Sequence, residues 1–270
     1  MNLSIPQSEI NIFKNHRSSY ESSTVRVPAT CGELMQGYLD GQDFLINSPI
    51  SRFARFKVDV LSSSKVAVKG KGNFGKVNRA VTKTLSLLGK SEKGASIEVL
   101  ESIPRGKGLA SSTAEMTAAI SATSFVVSGT YWDEERFPRT LLEIDHSTDA
   151  VYCHGITMCD YLSGKVIKHF SKIPSLEFIV VDAGCQVETA DFDREKAKAN
   201  AIEHRERLQS ALALMIYGLE QQIPTLIAKA ATESALSIKV SLENKVCKSC
   251  SKEHVHGVPL GLTVLILVAF

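Results

Sequence analysis

Hydrophobic and polar positions along this 270-residue chain follow two alternating periods. Phe56, Val58 and Val60 alternate with Arg55, Lys57 and Asp59, the period-2 signature of a strand with one buried face. Val66, Ala67 and Val68 follow at a distance that suits a hairpin partner. The period then lengthens: Val81, Leu85 and Leu88 recur on one side of a helix over residues 78–88. A strand over 97–101 comes next, and a helix starts near Ser112, continuing through small residues over 114–127. After a turn-rich patch at 171–175 that contains Pro174, Phe178, Ile179, Val180 and Val181 form another strand. Leu208, Leu212, Met215 and Leu219 repeat at helical spacing as a core-facing stripe of one long helix, and Pro224 separates it from a second over 225–236. Residues 260–270 are apolar but too few to cross a bilayer, which takes about 20, so they read as a buried strand. Residues 1–22 read as a loose polar leader, and there is no internal repeat. Strands and helices in this order predict an α/β (α+β) fold with a domain boundary near residue 172.

Composition narrows the classes without choosing among them. With 44% hydrophobic and 22% charged residues the chain is an ordinary globular protein. A net charge of +2 gives no reason to expect nucleic acid or membrane as a partner. The first 20 residues mix Ser, Asn, Lys and Glu with no apolar h-region, and six scattered cysteines suit free thiols, so a cytoplasmic protein is expected.

Chemistry concentrates between the strand ending near 101 and the helix starting near 112. Gly106 and Gly108 let backbone N–H groups approach an anion, and the helix N-terminus adds donors and partial positive charge. Lys107 supplies a point charge, while Ser111, Ser112 and Thr113 offer hydroxyls to a phosphate or to Mg²⁺. A capping box of Ser112 with Glu115 is the simpler account of this helix start, but it leaves Pro104, both glycines and Lys107 unexplained.

The run from Pro104 through Gly108-Leu109-Ala110-Ser111-Ser112-Thr113-Ala114 resembles the second motif of the GHMP kinases. Pro28-Ala29-Thr30-Cys31-Gly32-Glu33-Leu34-Met35-Gln36-Gly37 looks like the N-terminal signature of the L-threonine kinase branch that serves cobamide synthesis. Ser147-Thr148-Asp149 falls where that branch has a Thr-Asp pair, and the ordered similarity runs roughly from residue 24 to 236. The resemblance implies a two-domain fold: a ribosomal-S5-like ATP-binding domain over 1–172 and a ferredoxin-like domain over 173–270. The second is divergent or truncated after about 237, because residues 254–263 lack the His-Ser-Gly core of the branch's third motif.

By the same resemblance the chain is a small-molecule kinase using ATP and Mg²⁺, with L-threonine as acceptor and O-phospho-L-threonine as product. Homoserine or another small hydroxy compound is the alternative acceptor. A catalytically silent nucleotide-binding protein of the same fold is the alternative class. Pro104, Gly106, Lys107, Gly108, Leu109, Ala110, Ser111, Ser112, Thr113 and Ala114 would then hold the nucleotide. Lys107 and Asp149 would be catalytic, Asp149 as base or orienter of the acceptor hydroxyl. Ser112 with either Glu143 or Asp145 would hold the metal. Glu33, Gln36, Thr148 and Asp149 would face the acceptor, Glu33 meeting its ammonium. Cys31 reads as a small packed residue. Oligomeric state leaves no mark in the sequence.

Three other constellations carry less. Residues 70–77 contain G-x-G-x-x-G and G-x-x-x-x-G-K, but Val77 stands where a Walker loop needs Ser or Thr, so a basic hairpin or surface loop is expected. Cys247, Cys250, His254 and His256 have zinc-ligand types at the wrong spacing. His146 beside Ser147 and Asp149 mimics a hydrolase triad, but triads are assembled from distant segments.

Overall fold

The computed structural model describes residues 21–182, 193–238 and 264–269. Two long strands, β1 (Ser22–Leu39) and β2 (Gln42–Leu61), form its spine. Asp40 and Gly41 join them with φ of 52° and 86°, the two positive values that a two-residue type I′ hairpin requires. β3 (Val66–Lys69), α1 (Gly75–Leu87) and β4 (Gly94–Glu101) follow as a βαβ unit. β4 pairs antiparallel with β2, from Arg55↔Glu101 to Leu61↔Gly94, and β3 lies outside β4 in parallel.

β3 is therefore not the hairpin partner of β2 expected from the sequence. The crossover through α1 returns β4 into the place beside β2. Gly94 makes the close approach possible, since a Cβ there would lie 2.1 Å from the Lys65 carbonyl oxygen, and Ala95 N–H then donates to that oxygen at 3.1 Å.

α2 (Ser111–Ser128) and α3 (Phe137–Asp145) lead into β5 (Ile156–Cys159) and β6 (Val166–Phe170). β5 pairs with the other end of β2, at Leu45↔Cys159 and Asn47↔Thr157. The sheet order is β3-β4-β2-β5-β6, with β1 on β2. β7 (Glu177–Asp182) pairs antiparallel with β8 (Val264–Ala269) in a separate two-stranded sheet. α4 (Arg194–Glu203), α5 (Arg205–Glu220) and α6 (Pro224–Ile238) complete the described elements.

The long helix expected over the leucine stripe is α5, and a separate helix, α4, precedes it, the two meeting at His204, whose φ of −102° breaks the helical path. Asp193 caps α4 by accepting from Lys196 N–H at 3.1 Å. The stripe itself is core, with Leu208, Met215 and Leu219 fully buried.

Alternation along β1 and β2 feeds two cores. On one face Val27, Ala29, Leu45, Ala54, Phe56 and Val58 pack against α1, α2 and α3. On the other, Leu34, Met35, Phe44 and Ile46 meet Leu208, Ala211, Met215 and Leu219 of α5. α2 is buried almost all round, which its small residues allow because their backbone can approach the sheet closely. Its first turn is thereby set on the sheet with little freedom to shift. Among the described residues no helix is long and apolar enough to cross a membrane.

Candidate active site

The connection from β4 to α2 is shaped by three residues in the left-handed region: Gly106 and Gly108, each with φ of 67°, and Ala110 at 55°. Leu109 plugs this loop into the core, and its carbonyl accepts from Thr30 N–H of β1 at 3.3 Å. Pro104 is exposed and Lys107 is buried within the loop. Ala110 is the N-cap of α2 and offers no side-chain cap. The first intrahelical bond runs from Ala114 N–H to Ala110 at 2.9 Å, so the N–H groups of residues 111–113 lack partners within the helix. Such a terminus attracts an anion.

Both members of the alternative capping box are committed elsewhere. The Ser112 hydroxyl donates to Asp145 Oδ2 at 2.6 Å, and Glu115, 2% exposed, pairs with Arg105 at 2.5 Å. Arg105 also donates to the Asn73 carbonyl and lies 4.4 Å from the Phe74 ring centre. Of the two forms expected for the glycine-rich segment at 70–74, hairpin or surface loop, it takes the second: a largely exposed strand-to-helix connection packed against the 102–110 loop.

Two acids meet the first turn of α2. Asp145 ends α3, and His146 turns the chain with φ of 57°. Asp149 Oδ2 accepts from Thr113 Oγ1 at 2.9 Å, so adjacent hydroxyls each hold a different carboxylate. Burial holds the Asp149 carboxyl above the usual range, the Thr113 bond opposes this, and the Asp145 charge adds to it. Asp145 also pairs with Lys76 in the first turn of α1, the lysine of the G-x-x-x-x-G-K run expected above to be a basic hairpin or surface loop.

Glu143 is not in this group: it is 46% exposed and pairs with Lys83 at 2.8 Å. Helical geometry explains why, since residues two apart on α3 point in different directions. Thr148 is turned inward. Its N–H donates to the Tyr161 carbonyl at 2.9 Å and its hydroxyl accepts from Ala150 N–H at 3.4 Å, so it shapes the turn that presents Asp149. His146 is exposed and forms no triad.

The 28–37 motif is an irregular stretch of β1, with register shifts between Pro28 and Thr30, Thr30 and Glu33, and Glu33 and Met35. Glu33 lies opposite Asn47 of β2. Its Oε2 is sealed from solvent without a hydrogen-bond partner, and burial, aided by the Asp149 charge, pushes its pKa up to about 8. Asn47 Nδ2 donates to the Asp149 carbonyl at 2.8 Å. A small cleft borders Asp149, lined by Pro28, Thr30, Asn47, Val151, Cys153 and Thr157 among others. Cys31 is fully buried and its thiol is pushed up to about 12, as fits a packed residue. Gln36 lies elsewhere, in a second cleft with Asp43, Tyr161, Arg194 and Lys198.

Mg²⁺ commonly takes one or two protein groups together with substrate phosphates. The Ser112 hydroxyl and the Asp145 carboxylate fit that demand beside a helix N-terminus, and Asp145 already attracts the Lys76 ammonium. Cys247, Cys250, His254, His256 and the divergent 254–263 stretch lie outside the described residues. Among those described, no three His, Cys, Asp or Glu residues cluster as a metal site.

Residues 75–158 match the family described as GHMP kinases N terminal domain. Over that span the chain is similar to a GHMP kinase N-terminal domain. That span runs from the start of α1 into β5 and contains Lys76, the 102–110 loop, Ser112, Asp145 and Asp149. An L-threonine kinase of Salmonella typhimurium is 26% identical over 237 residues, covering 85% of this chain and 76% of that protein. The GHMP kinase fold is shared with a D-glycero-D-manno-heptose 1-phosphate kinase from Bacteroides thetaiotaomicron, at a TM-score of 0.64 and 13% identity over 91% of this chain and 87% of that one. It is shared too with a protein solved in complex with MVAPP, AMPPCP and magnesium, at a TM-score of 0.56 and 11% identity over 82% and 74% of the two chains.

Proposed function

We propose that this chain is a GHMP kinase, an ATP- and Mg²⁺-dependent enzyme that phosphorylates the hydroxyl of L-threonine, giving O-phospho-L-threonine for cobalamin biosynthesis in the cytoplasm. Residues 1–172 would be its ATP-binding domain and 173–270 its second domain. The observation that carries the proposal is the pairing of Ser112 with Asp145 and of Thr113 with Asp149, two acids held by one helical turn. Threonine as acceptor is supported by the 28–37 signature and by the 26% identical L-threonine kinase.

Phosphoryl transfer asks a protein for alignment and charge neutralisation more than for covalent chemistry. The backbone of 106–112 and the start of α2 would receive the phosphates of ATP, with Lys107 adding positive charge. Ser112 and Asp145 would hold Mg²⁺, which when bound neutralises phosphate charge. Asp149 would accept the acceptor's hydroxyl proton, leaving the oxygen to bond the γ-phosphorus while the bond to the ADP oxygen breaks. A raised pKa makes Asp149 a better proton acceptor than an exposed aspartate. Glu33 would meet the substrate ammonium.

A coupled ADP-release assay with L-threonine, L-serine, L-homoserine and mevalonate tests this. Release that depends on threonine above the others is expected. Release with homoserine or mevalonate alone moves the acceptor, and ATP binding without release for any of them leaves a silent binding protein.

A further inference from the structure

Among the described residues, two buried acceptor atoms near Asp149 have no hydrogen-bond donor. Glu33 Oε2 and Asn47 Oδ1 are each sealed from solvent with no hydrogen-bond partner. They belong to residues directly opposite one another on β1 and β2. Cross-strand partners project from the same face of a sheet, so the two side chains leave the strands together.

Asn47 is 7% exposed and anchored at one end, because its Nδ2 donates to the Asp149 carbonyl at 2.8 Å. That bond fixes the amide's orientation through one of its two N–H groups and leaves the acceptor oxygen for something else. Asn47 and Asp149 border one cleft, and Thr157, opposite Asn47 on β5, borders it as well.

The need is for positive charge and more than one N–H. Glu33 and Asp149 bring two carboxyl groups and Asn47 an amide oxygen, while the nearby cations Lys76 and Arg105 are paired with Asp145 and Glu115. A hydroxyl brings one donor and no charge. A primary ammonium brings three donors and a full charge.

We propose that Asn47 is a specificity-determining residue which, with Glu33, grips the ammonium group of an amino-alcohol acceptor. This rests on the placement of the acceptor beside Asp149 in the proposed function. The ligand class is a compound bearing a primary ammonium close to the hydroxyl to be phosphorylated, and hydroxy acids without an amine are disfavoured.

The test is isothermal titration of the full chain, loaded with a non-hydrolysable ATP analogue, against L-threonine, L-homoserine and 3-hydroxybutyrate, the last having hydroxyl and carboxylate but no amine. The parent should bind threonine at least about tenfold more tightly than 3-hydroxybutyrate. Asn47→Leu should weaken threonine roughly tenfold to hundredfold, the size expected for a hydrogen bond to a charged group, and leave 3-hydroxybutyrate and the nucleotide unchanged. If that variant does not fold, as judged by its melting transition, Asn47→Ser serves in its place.

Equal losses for threonine and 3-hydroxybutyrate would show that Asn47 acts only by holding Asp149, and would overturn the inference while leaving the kinase intact. A parent that binds 3-hydroxybutyrate as tightly as threonine would overturn it too. A parent that takes homoserine and not threonine, and loses it on Asn47→Leu, would instead overturn the threonine assignment and uphold the role of Asn47.

Discussion

The Ser112 hydroxyl donates to Asp145 Oδ2 at 2.6 Å, joining the second residue of α2 to the last residue of α3 across 33 positions of sequence. Ser112 is not the helix cap, so its removal costs one hydrogen bond and no capping interaction.

Ser112→Ala should therefore lose about 1–2 kcal/mol of stability, measured by urea unfolding. Its turnover should fall by roughly 10²-fold or more, as when a preorganised group at the transferring centre is removed. Asp145→Asn should behave alike, whereas Glu143→Gln, on the exposed pair with Lys83, should stay within about twofold of the parent. Parental turnover in Ser112→Ala would remove this pair from the chemistry.

Asp149→Asn should lower turnover by roughly 10²-fold or more with nucleotide binding retained. The base must be ionised to act, so the rate falls as pH drops through a pKa that lies above the usual aspartate range. Thr113→Val removes the bond that opposes this rise, and should move the acidic limb of the kcat profile to higher pH. A limb that stays in place would show that Asp149 does not control it.

Glu33 carries a pH signature of its own. A carboxyl raised from 4.5 to about 8 stabilises the fold below its ordinary pKa, and that contribution is lost as pH rises through 8. Glu33→Gln removes the liability, so the variant should melt higher than the parent at pH 8.5, with the gap closing toward pH 5. An ammonium bound at Glu33 would ionise it, so threonine binding at pH 7 should release a proton. Calorimetry in buffers of different ionisation enthalpy reads that release, which should vanish in Glu33→Gln.

Arg105→Met leaves the 2% exposed Glu115 carboxylate without its partner. Breaking such a pair should cost about 3 kcal/mol, toward the low end for buried pairs because Arg105 is itself 38% exposed. Adding Glu115→Gln should recover most of the loss in a urea titration. Full additivity of the two losses would show that the pair is not coupled.

Much of this protein is written locally. The alternation at Phe56, Val58 and Val60 marks the strand whose even positions enter the core, and the leucine stripe from Leu208 to Leu219 is buried as its spacing predicts. The glycines at 106 and 108 announce a loop with positive φ before a helix, and Asp40-Gly41 is a dipeptide suited to a two-residue hairpin turn. Each is a property of neighbouring residues: which face is apolar, or which backbone angles are allowed. Other features needed the folded chain. β4, not β3, lies beside β2; Asp145, not Glu143, meets Ser112; Thr148 turns inward; and Gln36 borders another cleft. Asn47 joins Asp149 across 102 residues and looks like any polar strand residue until its unpaired oxygen is seen beside that of Glu33. Periodicity records burial one segment at a time. Which distant groups converge, and which are left without a partner, is decided only when the packing of sheet and helices has closed around them.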